Sequence, residues 1–179
     1  MQRDAPFASR LTRHPLAFDT AAGAGAVTGL PGLDPALAPL IAVAAGCSPY
    51  LKGLMEREAD WLVGALAGAP EAAADAVLAG LGPAPAEDLG AALRQAKRRI
   101  ALLTALADLG GVWPLERVTG TLARLADRAV DLAVKVLVAE EIRRGKLPGQ
   151  GPDDAATAAG MVVLGMGKLG AGELNSSSD

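Results

Sequence analysis

The feature that most constrains this chain is an apolar stripe in its middle third. Leu89, Leu93, Ala96, Ile100, Leu103 and Ala107 recur at steps of three and four, which places them on one face of a helix and predicts a helix over Ala86–Leu109. Gly110-Gly111 ends it. Pro114 then suits the first position of a second long helix running to about Gly145, with Leu115, Val118, Leu122, Leu125, Ala129, Leu132, Val136 and Ala139 on one side. Gly120 is its weak point. Two long amphipathic helices joined by a short turn must bury their stripes against each other and against further helices, so a helical bundle is the expected architecture.

Shorter helical signals precede them. Asp34-Pro35 reads as an N-cap followed by proline, opening a helix over Ala36–Ala45 that Gly46 ends. Ser48-Pro49 opens another, predicted to run on through Leu66, and Glu71–Leu78 follows Pro70 as a short one. Aromatic residues are only 3% of the sequence, so the core must be built from Leu, Ala and other small aliphatic side chains. Residues 1–33, rich in Gly, Pro and Ala with scattered arginines, read as a loose leader. Residues 34–146 read as the helical domain. A Pro- and Gly-rich linker spans 147–160, and residues 161–179 begin a different kind of unit.

Several function classes fall away on composition. A net charge of -3 supplies no strong field to draw in nucleic acid or an anionic membrane. The most apolar stretch, Ala36–Cys47, is interrupted by Pro39, and the N-terminus lacks the apolar run of a signal peptide, so neither a membrane span nor secretion is expected. Cys47 is the only cysteine, which rules out an internal disulfide, favours a reducing compartment and marks Cys47 as a small core residue. His14 is the only histidine, so a metal site built on several histidines is excluded and His14 is read as a solvated surface residue. Arg94, Lys97, Arg98 and Arg99 are read as a solvated helix face.

The chemistry concentrates after the linker. Met161-Val162-Val163-Leu164-Gly165-Met166-Gly167-Lys168-Leu169-Gly170 reads as a short buried strand entering a glycine loop. Glycines let backbone N–H groups approach a phosphate, and Lys168 adds positive charge at the same place. Three readings stay open on these residues alone. Gly165-x-Gly167-x-x-Gly170 satisfies the dinucleotide pattern literally, which would make the chain part of an oxidoreductase. A P-loop is not matched, because Lys168 is followed by Leu169. A turn with no ligand, in a helical module that only docks onto a partner, is the remaining alternative.

The residues that follow sharpen the choice. Gly165 to Asp179, ending Gly170-Ala171-Gly172-Glu173-Leu174-Asn175-Ser176-Ser177-Ser178-Asp179, resembles the nucleotidyltransferase signature of the glutamine synthetase adenylyltransferases. Weaker echoes lie in Ser48–Leu51, Arg94–Ile100, Ala107–Gly110 and Leu122–Asp127, so the resemblance covers roughly Cys47 to Asp179.

That resemblance implies a helical bundle feeding the first strand and glycine loop of a polymerase-beta-like α/β nucleotidyltransferase domain. It implies a cytoplasmic bacterial enzyme, built on two related domains, that attaches AMP from ATP to a glutamine synthetase tyrosine and removes it by phosphorolysis to give ADP. The signature begins at Gly165, the distance from the first Met expected for the first of the two copies, which in that family is the adenylyl-removing one. Gly167 and Lys168 would contact nucleotide phosphates, Ser177 and Ser178 would line that site, and Asp179 would be the catalytic ligand of Mg²⁺. Glutamine synthetase and a PII-type nitrogen regulatory protein are the implied partners. Gly172 stands where the family usually has arginine, and Ser176 where it has an apolar or aromatic side chain. The partner aspartate of Asp179 is expected just past the last residue, so the chain alone is expected to be inactive.

Overall fold

In a computed structural model the described residues are 4–175, and they form helices and turns with no β-strand among them. Helix α6 (Ala86–Leu109) and helix α7 (Leu115–Arg143) are the scaffold, packed side by side around the turn at Gly110-Gly111. Pro114 is the N-cap of α7, and Leu122, Leu125 and Leu132 are buried as the stripe requires. Leu115 and Ala139, at the ends of the expected stripe, are exposed instead, and Val138 is buried in place of Ala139.

Five shorter helices complete the bundle: α1 (Thr20–Thr28), α2 (Ala38–Cys47), α3 (Pro49–Arg57), α4 (Ala59–Ala67) and α5 (Pro70–Ala79). Ser48 caps α3 by accepting the Leu51 N–H at 3.2 Å, as its position before proline predicts. The segment expected to continue unbroken to Leu66 bends at Glu58, which leaves helical geometry and starts α4. Helices α1 and α2 cross very closely, because a Cβ on Gly23 would lie 2.5 Å from the Ala42 carbonyl oxygen.

The expected loose leader is instead a strap. Phe7 is fully buried, its N–H bonds the Gly68 carbonyl, and Arg10 grips Glu71 through two hydrogen bonds of 2.6 and 3.0 Å. Glu71 also accepts a 2.8 Å bond from Trp113 Nε1. Further on, the N–H groups of Thr12 and Arg13 bond the Gly110 carbonyl, so the strap ties α5 to the α6–α7 turn. Helix α1 also falls within 1–33 and packs on α2. Local composition could not reveal this, since every one of these bonds joins residues far apart in the chain.

Two smaller expectations also change. Cys47 is exposed rather than in the core; its sulfur accepts the Phe18 N–H at 3.4 Å and lies 3.6 Å from the Leu16 carbonyl. The linker is folded: Pro152–Gly160 forms a kinked 3-10 segment packed on α7, with Ala158 buried. At the kink Ala158 and Ala159 take left-handed φ of 51° and 52°, a conformation that crowds a Cβ. His14 is exposed, as expected. No helix among the described residues is long and apolar enough to cross a membrane.

Candidate functional site

After the kink the chain turns back along α7. Met161–Met166 is not a strand: it pairs with no ladder, and Met161, Val162, Val163, Leu164 and Met166 are 56–83% exposed. The physical reason is that a strand needs a neighbouring strand for its N–H and C=O groups, and none exists among the described residues. The β-branched pattern records an intrinsic preference that the surroundings do not meet.

The glycine segment that follows is a tight turn around helix α8 (Gly167–Gly170). Gly167 has a left-handed φ of 58°, and a Cβ on Gly170 would collide with the Gly165 carbonyl oxygen. The turn therefore needs glycine at both places. Bonds from the N–H of Ala171 to the Gly167 carbonyl at 3.0 Å and from the N–H of Glu173 to the Lys168 carbonyl at 2.8 Å close it. Lys168 is exposed on its surface. Gly167 and Lys168 are thus presented together, whereas Ser177, Ser178 and Asp179 lie outside the described residues. No three His, Cys, Asp or Glu side chains gather as a metal cluster among the described residues.

The turn closes one side of a cavity of about 950 Å³. Tyr50 and Leu51 of α3 form a second side; α6 and α7 supply the others, with Leu93, Leu122 and Leu125 as an apolar floor. Arg94 and Lys97 stand one helical turn apart on α6 and line the same cavity as Lys168. Sequence reading grouped Arg94 and Lys97 only with a solvated face. One available signal was that neither has an acidic residue three or four positions away along the helix to neutralise it.

Their neighbours behave differently. Arg98 and Arg99 both turn to Glu58, donating Nε–H bonds of 2.7 and 2.8 Å to its two carboxylate oxygens. Glu58 is 4% exposed, and the Arg99 guanidinium also lies 5.2 Å from the centre of the Trp61 ring. These two arginines are therefore not a solvated face; they are a tether holding α6 to the α3–α4 bend. Burial pushes the Glu58 carboxyl pKa up, but the bonds and charges of Arg99 and Arg98 outweigh it and hold it below its ordinary 4.5. Glu71 behaves likewise, burial being offset chiefly by Arg10.

Comparison with known proteins places this architecture. The sequence model of the glutamate-ammonia ligase adenylyltransferase family matches residues 37–179. A Rhodopseudomonas palustris protein is 41% identical over 161 residues, covering 87% of this chain and 16% of the relative. A Caulobacter vibrioides protein is 44% identical over 147 residues, covering 80% of this chain and 14% of the relative. One from Bradyrhizobium diazoefficiens is 51% identical over 87 residues, which is 49% of this chain and 9% of the relative. All three are named bifunctional glutamine synthetase adenylyltransferase/adenylyl-removing enzyme. The chain thus spans about 16% of the length of the first of these relatives. No solved structure matches it. With a family match running from Leu37, just before α2, through the glycine segment, the chain belongs to the glutamate-ammonia ligase adenylyltransferase family.

Proposed function

We propose that this chain is part of the adenylyl-removing half of a bifunctional enzyme acting on glutamine synthetase. In that reaction an oxygen of inorganic phosphate attacks the phosphorus of the AMP–tyrosine linkage. The bond to the tyrosine oxygen breaks, that oxygen takes up the proton released by phosphate, and ADP leaves with free tyrosine. Transfer in the opposite sense, using ATP, belongs to the other half of the enzyme.

The observation that carries this reading is the exposed glycine turn with Lys168 on it, inside a segment that the family match covers to the last residue. Phosphoryl chemistry of this kind spreads charge over non-bridging oxygens, and a fixed ammonium with nearby backbone N–H groups stabilises that charge. Gly167 gives the backbone the room to approach phosphate, and Lys168 supplies the cation. Ser177 and Ser178 would extend the same lining. The described residues do not by themselves assemble a divalent-ion site, so Mg²⁺ enters the proposal only through Asp179 and a second carboxylate further along a longer chain. Glutamine synthetase is the protein substrate, a PII-type regulator the second partner, and the cytoplasm the compartment.

The test is a longer protein that contains this chain and continues through the nucleotidyltransferase domain, given adenylylated glutamine synthetase, Mg²⁺ and phosphate. ADP should be released, the release should vanish in Asp179→Asn, and Lys168→Ala should lower it by about 100-fold, the usual cost of losing one electrostatic stabiliser. A folded protein that yields no ADP while still binding glutamine synthetase would favour a docking role instead.

A further inference from the structure

The cavity between α3, α6, α7 and the glycine turn has a composition at odds with the chain around it. Arg94, Lys97 and Lys168 line it, and no Asp or Glu is among its described lining residues, in a chain whose net charge is -3. None of the three cations makes an ion pair among the described residues. Arg98 and Arg99, next on the same helix, are both committed to Glu58, so Arg94 and Lys97 line the cavity with no carboxylate paired to them among the described residues.

Beneath these charges the floor is apolar. Small side chains of α6 and α7, including Ala101 and Ala126, leave the space above Leu122 and Leu125 open. A volume of about 950 Å³ far exceeds an inorganic ion and falls in the range of small-molecule pockets. Tyr50 of α3 and the turn bearing Lys168 both line it, so a single ligand can touch the bundle and the turn together.

We propose that this cavity binds a small organic anion: a flat apolar ring body lying on Leu122 and Leu125, with a phosphate or carboxylate head held by Arg94, Lys97 and Lys168. Because the ligand would touch the bundle and the glycine turn together, its binding would fix the turn against α6 and α7. The site does not depend on Lys168 taking part in AMP transfer, since Arg94 and Lys97 belong to the bundle.

The probe for the test is anilinonaphthalene sulfonate, an apolar double ring with one anionic head, titrated into the whole chain and followed by fluorescence. Saturable binding of one probe per chain is expected. The double variant Arg94→Glu with Lys97→Glu should weaken it by about tenfold or more. Both positions are exposed, so helical circular dichroism should be unchanged. Competition names the head group: whichever of AMP and naphthoate displaces the probe at lower concentration carries the preferred one. Affinity untouched by charge reversal would overturn the proposal. So would loss of binding in Val162→Asp with Leu164→Asp, since the probe would then be reporting the exposed run beside the turn. Displacement by neither competitor would overturn it as well.

Discussion

Trp113 Nε1 and Arg10 Nη2 meet on the same oxygen of Glu71, at 2.8 and 3.0 Å, while Arg10 Nη1 takes the other oxygen at 2.6 Å. One carboxylate at the start of α5 thus gathers the N-terminal strap and the α6–α7 turn. Removing it leaves a guanidinium of 13% side-chain exposure with only the Val112 carbonyl as acceptor, and strips a buried indole N–H of its acceptor. Glu71→Ala should therefore destabilise the chain by about 3 kcal/mol, read as a lower urea midpoint. The Trp113 emission should shift in the native state as the strap loosens. An unchanged midpoint would mean that the strap contributes nothing to the bundle.

Acid should act through the buried Glu58 and the partly buried Glu71. Glu58 and Glu71 both have native pKa values held below their ordinary 4.5. A lowered carboxylate pKa stabilises the fold at pH above the unfolded value, and that contribution is lost as pH falls through the folded value. Stability should be flat near neutrality and fall steeply below about pH 4.5. Urea midpoints measured against pH should fall less steeply in Glu58→Gln than in the parent. Parallel curves would assign the acid sensitivity to other groups.

Gly23→Ala should separate α1 from α2. The added methyl would stand 2.5 Å from the Ala42 carbonyl oxygen, a backbone atom that cannot rotate away. Overpacking of this kind costs about 1–3 kcal/mol. Amide exchange should quicken across Thr20–Thr28 before it does in α6. Equal protection in the two proteins would show that the helices can shift without penalty.

The kink before the glycine turn is open to improvement. Ala159 holds a left-handed φ of 52° and is half-buried, so Ala159→Gly should raise stability by about 1 kcal/mol. Ala158→Gly should raise it less, because its methyl is buried against α7 and that contact disappears. Thermal unfolding of the two variants against the parent decides it. A lower melting temperature for Ala159→Gly would contradict the strain argument.

What the amino-acid order disclosed follows the range of the forces involved. Ala86–Leu109 was legible to the residue because its stripe and its paired glycines at the end are local signals. The bend at Glu58 was not. It exists because Arg98 and Arg99, some forty positions away, draw the carboxylate inward, and no pattern within α3 or α4 encodes that. The strap escaped notice for the same reason, since Arg10 finds its partner at Glu71. At the glycine turn the run of glycines marked a tight loop, and Gly167 and Lys168 are presented together on it. Arg94 and Lys97 join Lys168 only because the chain doubles back after Gly160, which spacing along the sequence does not disclose.

Cys47, solvent-exposed at the end of α2 with its sulfur beside Leu16 and Phe18 of the strap, has a practical consequence. As the only thiol in the sequence it accepts a single maleimide dye without mutagenesis. A label there would sit where the strap meets the bundle, so its anisotropy would report strap release directly. The same molecule carries Trp113 at the strap's other anchor, giving one intrinsic and one attached chromophore with which to follow the same motion from both ends.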